Sequence, residues 1–236
     1  MDRQDSDFIH KEFPKQFSKD DFWSQIKRTV DGKPVSEDDI NMIISQITSN
    51  LDLTPDSHLL DIGCGNGALA ARLFPYLNHY TGVDFSTVLL EVANEYFKPN
   101  NHINYIEDDA VHFVSTYPDT KGIDKLLVYG CISYLSHSDL EAFLQCVAAR
   151  FGDLRTAFIG NIPDVHKAAE FFKKRDIKDY ETGNENTPIG LWWRPDELIQ
   201  IANSSGFNAS ALKMPDTFYG HHYRFDLVLK RSSDQI

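Results

Sequence analysis

Cysteine is scarce: Cys64, Cys131 and Cys146 are the three in 236 residues, and no two of them form a CxxC pair. An odd, scattered set supplies neither a disulfide framework nor the paired thiolates of a structural zinc site, so the three read as reduced thiols. Positive charge is also short. Lys and Arg number 23 against 35 Asp and Glu, a formal net charge of -12. That balance repels phosphate backbones and anionic surfaces, which argues against general nucleic-acid or membrane binding and for a small-molecule partner. Long apolar runs are missing too. Nothing approaches the ~18 uninterrupted apolar residues of a membrane span, and "MDRQDSDFIHKEFPKQF" has no apolar stretch of the kind a signal peptide needs. The expected setting is the cytoplasm and the expected state a monomer or homodimer.

What is present suits a folded domain: 42% of the residues are hydrophobic, enough for one sizeable core. Residues 1–18 are polar and aperiodic and read as an arm. "SKDDFWSQIKRTV" then places Phe22, Trp23, Ile26 and Val30 at helical spacing, which predicts a first helix ending at "DGKP". A second helix opens at Ser36, with acids in its first turn and Ile40, Ile43, Ile44 and Ile47 on one face. From residue 51 the pattern alternates. Apolar runs at 58–62, 79–84, 103–106, 124–129 and 154–160 are each followed by a helical period, with helices expected over Ala68–Phe74, Ser86–Phe97, Ala110–Thr116 and Ser138–Phe151. This is the βαβ pattern of a parallel sheet covered on both faces.

The tail breaks that rhythm. "RPDELIQIANSSGF" is a helix with proline at its start, and "NASALKM" and "HYRFDLVLK" are two strands joined by a short connection, most simply antiparallel. The predicted fold class is α/β, doubly wound and mostly parallel, with seven strands and an antiparallel strand near one edge. Residues 1–50 form an arm and cap helices, and 51–236 the main domain. Residues 163–193 are too long for a plain connection; they read as a helix over Val165–Arg175 plus a loop, a lid over the carboxyl edge of the sheet.

The turn after the first main strand, "LLDIGCGNGALAARLF", holds Gly63, Gly65 and Gly67. In a doubly wound sheet that turn lies at the ligand-binding switch point, and glycine there admits a ligand to the backbone. GxxxxGK[ST] is absent, which excludes P-loop phosphoryl transfer. A dinucleotide-binding turn is a rival, because Gly63, Gly65 and Ala68 satisfy a relaxed GxGxxG/A pattern and Asp84 follows at the spacing of a ribose-binding acid.

Asp61 ahead of "DIGCGNG", "GVDFS" closing the next strand and "EDDA" after the third together resemble the class I S-adenosylmethionine-dependent methyltransferases, over about residues 51–151. The resemblance implies the strand order 3-2-1-4-5-7-6 with strand 7 antiparallel, that Asp61 meets the ammonium of S-adenosylmethionine and that Gly63, Cys64, Gly65, Asn66 and Gly67 receive its methionine and ribose. Asp84 would accept both ribose hydroxyls, with Phe85 bordering the adenine and Ser86 also at the cofactor. Asp108 or Asp109, with Ala110, would clamp the adenine, and Tyr129, Gly130 and Cys131 would line the floor under the methyl group. No metal is expected; Asp109 and His112 lack a further placed ligand.

The acceptor side is less defined. Tyr134, His137, His221 and His222 are candidates for a base or for acceptor positioning. Trp23, Trp192, Trp193, Tyr219 and Arg224 are candidates for substrate contact, the tryptophans alternatively pinning the insertion to the sheet. The basic "EFFKKRD" suits an anionic group on the substrate or a solvated helix face. An "NPPY" motif is absent after the fourth strand, where "YGCIS" stands. The expected activity is transfer of a methyl group to an oxygen or nitrogen of a small molecule. An NAD(P)-dependent oxidoreductase and a non-catalytic cofactor-binding module are the alternatives.

Overall fold

Short apolar runs that alternate with amphipathic helices have one economical arrangement, a twisted sheet between two helical layers. A computed structural model of the chain describes residues 8–231. Its first two strands, β1 (Thr29–Val30) and β2 (Lys33–Pro34), make a small hairpin apart from the main sheet. The main sheet contains β3 (His58–Ile62), β4 (His79–Asp84), β5 (Ile103–Glu107), β6 (Lys125–Tyr129), β7 (Thr156–Pro163), β8 (Phe207–Lys213) and β9 (Arg224–Arg231). Their spatial order is β5-β4-β3-β6-β7-β9-β8. Counted within the main sheet this is the expected 3-2-1-4-5-7-6, with β9 antiparallel to both neighbours.

The helices are α1 (Phe22–Gln25), α2 (Glu37–Leu51), α3 (Ala68–Ala71), α4 (Thr87–Tyr96), α5 (Ala110–Thr116), α6 (His137–Arg150), α7 (Val165–Lys174) and α8 (Pro195–Ser204). On one face of the sheet α5, α6 and α8 bury Phe113, Leu140, Phe143, Leu198 and Ala202 against Leu126, Val128 and Ile159. On the other, α2 lays Ile40, Ile43, Ile44, Ile47 and Leu51 over Leu59, Leu127 and Phe158. Each Leu, Ile, Val or Phe among them contributes roughly 1.5–3 kcal/mol of burial. α2 begins where the sequence puts it, with the Ser36 hydroxyl accepting from the Asp39 N–H at 3.1 Å and three acids in its first turn.

The parallel strands all end at one edge, and β3 sits between β4 and β6, so the chain departs in opposite directions on either side of it. That is the switch point where a crevice opens.

Several local expectations are corrected. The helix predicted through Val30 stops after one turn, because Lys27 takes φ 52° and the chain enters the β1–β2 hairpin, whose turn residues Asp31 and Gly32 both have positive φ. Aspartate-glycine is the residue pair that such a tight turn selects. α3 ends at Ala71, and Phe74–Tyr76, which contains Pro75, forms a separate 3-10 turn. β7 runs beyond residue 160 to Pro163 through a register break between Ile159 and Ile162, with Asn161 at φ 65°. Of the expected arm, Phe8–Gln16 forms two short helical turns, and residues 1–7 lie outside the described residues. His221 and His222 precede β9 in a turn rather than opening the strand.

The insertion follows β7 as expected: α7, then an irregular return. Trp193 pairs back with the end of β7, donating its N–H to Pro163 at 2.9 Å, and Leu191 donates to Ser133 at 2.7 Å. The insertion is therefore fastened beside the carboxyl edge.

Candidate functional site

A cavity of about 530 Å³ opens at the carboxyl ends of β3, β4, β5 and β6. Asp61, Gly63, Cys64 and Gly65 line it from the first turn, Asp84 and Phe85 from the second, Asp108, Asp109 and Ala110 from the third, and Tyr129, Gly130 and Cys131 from the fourth. The structure thus brings together twelve of the residues that sequence reasoning assigned to a cofactor, each at a strand end. Three others stand behind the wall. Asn66 is fully buried, its Nδ2 donating to the Phe22 carbonyl at 2.7 Å and to Gln25 Oε1 at 2.9 Å. Ser86 caps α4 and donates its hydroxyl to the His10 carbonyl at 2.6 Å. Gly67 is required by packing: its φ is 77°, and a Cβ there would sit 2.7 Å from the Tyr105 hydroxyl.

Gly63 is constrained twice over, by φ 74° and by Cys131, whose Sγ would lie 2.5 Å from an added Cβ. The close approach of β6 to the β3 turn is what lets the cavity floor form without a side chain in it.

The electrostatics are unusual for an acidic chain. Asp61 is buried and accepts a hydrogen bond from the Tyr80 hydroxyl at 2.7 Å; burial pushes its carboxyl up to about 7, against the pull of that bond. Asp84 is likewise raised by burial, opposed by the backbone N–H groups of Ser86 at 2.9 Å and Gly65 at 2.8 Å. Asp109 spends one oxygen on the cap of α5, accepting from Val111 and His112. Asp108 contacts the His112 ring at 2.7 Å. Burial raises the Cys64 and Cys131 thiols, so neither is a ready nucleophile.

Sequence reasoning missed the wall contributed by the amino-terminal segment. Ile9, His10, Gln25, Ile26 and Arg28 line the cavity, and the His10 ring packs edge-on to Phe85 and Tyr134. Arg28 is 9% exposed; its Nε and Nη1 are buried without a hydrogen-bond partner, and its guanidinium lies 5.0 Å over the Tyr129 ring. The expected helix hid it, since a continued helix would have carried Arg28 past the site. The "DG" hairpin signal was the clue that the chain turns there.

On the acceptor side the placements diverge. Tyr134 lines the cavity, though its hydroxyl donates to the Pro188 carbonyl at 3.0 Å. His137 lies at the start of α6, packed on Trp193 and 3.2 Å from Glu197, away from the cavity lining. Trp193 is fully buried in the core, Trp192 packs with Phe171 and Phe172, and Trp23 joins the α2 side of the core. These tryptophans pin elements and do not line the cavity. His221, His222, Tyr219 and Arg224 cluster before and at the start of β9, outside the lining; burial lowers His222, as do Lys174 and Arg175.

Comparison with known proteins matches residues 59–151 to a family described as "Methyltransferase domain". The chain is 25% identical over 179 residues to a ubiquinone biosynthesis O-methyltransferase of Rickettsia canadensis, covering 74% of this chain and 72% of that one. Its fold resembles a magnesium protoporphyrin IX methyltransferase from Synechocystis PCC 6803, solved with bound S-adenosylhomocysteine, at TM-score 0.60 and 16% identity, covering 82% of each chain. It also resembles the N-methyltransferase NodS from Bradyrhizobium japonicum WM9, at TM-score 0.56 and 14% identity, covering 83% of this chain and 98% of that one. The sheet order and the cavity at the switch point agree with the family match: residues 59–151 carry a methyltransferase domain, and the chain has the fold of these methyltransferases.

Proposed function

We propose that the cavity holds S-adenosylmethionine with its amino-acid end between Asp61 and Arg28, and that the enzyme transfers the methyl group to an oxygen or nitrogen of a small-molecule acceptor in the cytoplasm. The observation that carries the orientation is one buried cavity presenting a carboxyl and a guanidinium with unpartnered nitrogens. A zwitterionic amino-acid group satisfies both; a pyrophosphate would be repelled by Asp61. Asp84 holds the ribose hydroxyls with the lone pairs that the Gly65 and Ser86 amides leave free. Phe85, 38% exposed, borders the adenine. Asp108 takes the exocyclic amine better than Asp109, which is committed to capping, and the Ala110 N–H at the first turn of α5 has no intrahelical partner.

When bound, S-adenosylmethionine supplies an electrophilic methyl group on its sulfonium. The protein's part is to position and desolvate. Gly63, Gly130 and Cys131 let the backbone approach closely, while Ile9, His10 and Ile26 close the cavity from the amino-terminal side. Residues 163–193 act as the lid that shapes the acceptor side. The small-molecule assignment is supported by the acidic charge and by similarity to an O-methyltransferase of ubiquinone biosynthesis.

Calorimetry with S-adenosylhomocysteine tests the orientation. Arg28→Gln is expected to weaken binding about 10- to 100-fold, the range of a charge-assisted contact of roughly 1.5–3 kcal/mol. Unchanged affinity would overturn the placement of the amino-acid end. A labelled-methyl assay on metabolite fractions, with total RNA as a parallel arm, tests the acceptor class; label in RNA alone would sink the small-molecule reading.

A further inference from the structure

Resting on that reading of the cavity, we infer that the methyl acceptor carries an oxyanion, a carboxylate or a phosphate, gripped by Arg224 beside the ends of β6 and β7. Two guanidiniums flank one ring: Arg224 lies 4.8 Å and Arg175 5.9 Å from the Tyr223 ring centroid. Lys174, paired with Glu170 at 2.7 Å, precedes Arg175 at the end of α7, and both act on His222. A positive track therefore runs from α7 to the start of β9 in a protein of net charge -12. Such a track concentrates anions against the overall field.

The track ends at the cavity wall. The charge on Arg224 acts on Tyr129 and Tyr134, two residues that line the cavity, and on Tyr219. Among the described residues no carboxylate makes an ion pair with Arg224 within 4 Å.

The backbone fixes the fork. Asn161 adopts φ 65° at the register break of β7, which turns its carbonyl to accept from Arg224 Nη1. Its N–H donates to Asp226 Oδ1 at 2.7 Å; that buried carboxylate feels the charge on Arg224 without forming an ion pair with it. Arg224 remains partly exposed. A strained, doubly bonded residue that aims a guanidinium is the kind of arrangement that a binding site sustains. Arg28 already serves the amino-acid end, which leaves Arg224 for the acceptor, and a planar fork suits either oxyanion.

The test uses the full chain saturated with S-adenosylhomocysteine and titrates benzoate, phenyl phosphate and the neutral isostere benzamide by calorimetry. At least one anion is expected to bind about tenfold tighter than benzamide, and benzoate against phenyl phosphate separates the two oxyanions. Arg224→Gln is expected to cut the preference below about threefold while S-adenosylhomocysteine affinity stays within twofold. Arg224→Lys, which keeps the charge and loses the fork, is expected to fall between them and serves if the glutamine variant does not fold. Equal binding of anion and benzamide by the wild type, or a preference retained in Arg224→Gln, overturns the proposal. So does a preference seen only without S-adenosylhomocysteine, which would place the anion at Arg28. Failure of S-adenosylhomocysteine itself to bind would instead remove the reading of the cavity.

Discussion

The end of the cavity bordered by β3, β4 and β5 is walled by carboxyl groups, Asp61, Asp84, Asp108 and Asp109, whereas the end bordered by β6 and the amino-terminal segment carries Arg28, Tyr129 and Tyr134. The acids hang from strand ends that the sheet holds in register, and each is fixed by a neighbouring donor: Tyr80, Gly65, Ser86 or a helix N-terminus. The second end is assembled from segments far apart in sequence, residues 9–11, residues 25–28 ahead of the β1–β2 hairpin, and the turn after β6. A ligand that never changes is served by rigid, local construction. Arg28 reaches the amino-acid part of the cofactor from outside that framework, on a segment whose course depends on where α1 stops.

The sharpest way to break this contrast is to remove an acid from the rigid end. Asp84→Ala deletes the proposed ribose contact and also leaves the Gly65 and Ser86 amides without their acceptor. S-adenosylhomocysteine affinity is expected to fall at least about 100-fold, near 2.7 kcal/mol. Stability is expected to drop by about 1–3 kcal/mol for each orphaned donor, read by urea melts. Retained affinity would show that this end does not carry the cofactor.

The two ends also differed in how far they could be read from the amino acids. The glycine turn and the spacing of Asp84 follow from the pattern itself, as do the βαβ repeats, whereas Asp61, Asp108 and the strand order were legible through the resemblance to the methyltransferases. Asn66 and Gly67 were read as ligand contacts because a turn motif does not separate a residue that touches ligand from one that packs under it; Asn66 ties down Phe22, and Gly67 makes room for Tyr105. Arg28 was illegible for a different reason: its position depends on where α1 stops, and helical periodicity outvoted the Asp31–Gly32 turn. For Trp192 and Trp193 the sequence left open an acceptor pocket or a pinning role, and they take the second, while His137 packs on Trp193 at the start of α6.

A pH titration sharpens the comparison at Asp61. Its folded carboxyl titrates near 7, above the 3.8 of an unburied aspartate, so the empty protein holds a proton there that the unfolded chain has lost. The sign follows: between about pH 4 and 7 the folded state binds more protons, and the stability of the free enzyme declines as pH rises through that window. Pairing with an ammonium requires the ionised form. Cofactor affinity is therefore expected to weaken about tenfold for each unit below pH 7, with about half a proton released on binding at pH 7 and about one at pH 6 and below. Calorimetry in two buffers of different ionisation enthalpy counts that proton. Asp61→Asn is expected to flatten the profile, and an unflattened profile would assign the proton to another group, with Asp84 the next to test.

The smallest expected effect lies at the other end. Tyr134 faces the cavity, yet its hydroxyl is spent on the Pro188 carbonyl, which links the β6 turn to the insertion. Removing that hydroxyl in Tyr134→Phe is expected to leave S-adenosylhomocysteine affinity within about twofold and to cost about 1 kcal/mol of stability, the net worth of one hydrogen bond. The change belongs in local dynamics: amide exchange of residues 186–191 is expected to quicken, because that bond and the Leu191 N–H to Ser133 bond fasten this stretch to the β6 turn. Faster exchange with intact cofactor binding would mean that Tyr134 serves the acceptor side by holding the insertion in place. A loss of cofactor affinity approaching that of Asp84→Ala would mean that the two ends of the cavity are not separable, and that the β6 turn belongs to the rigid half.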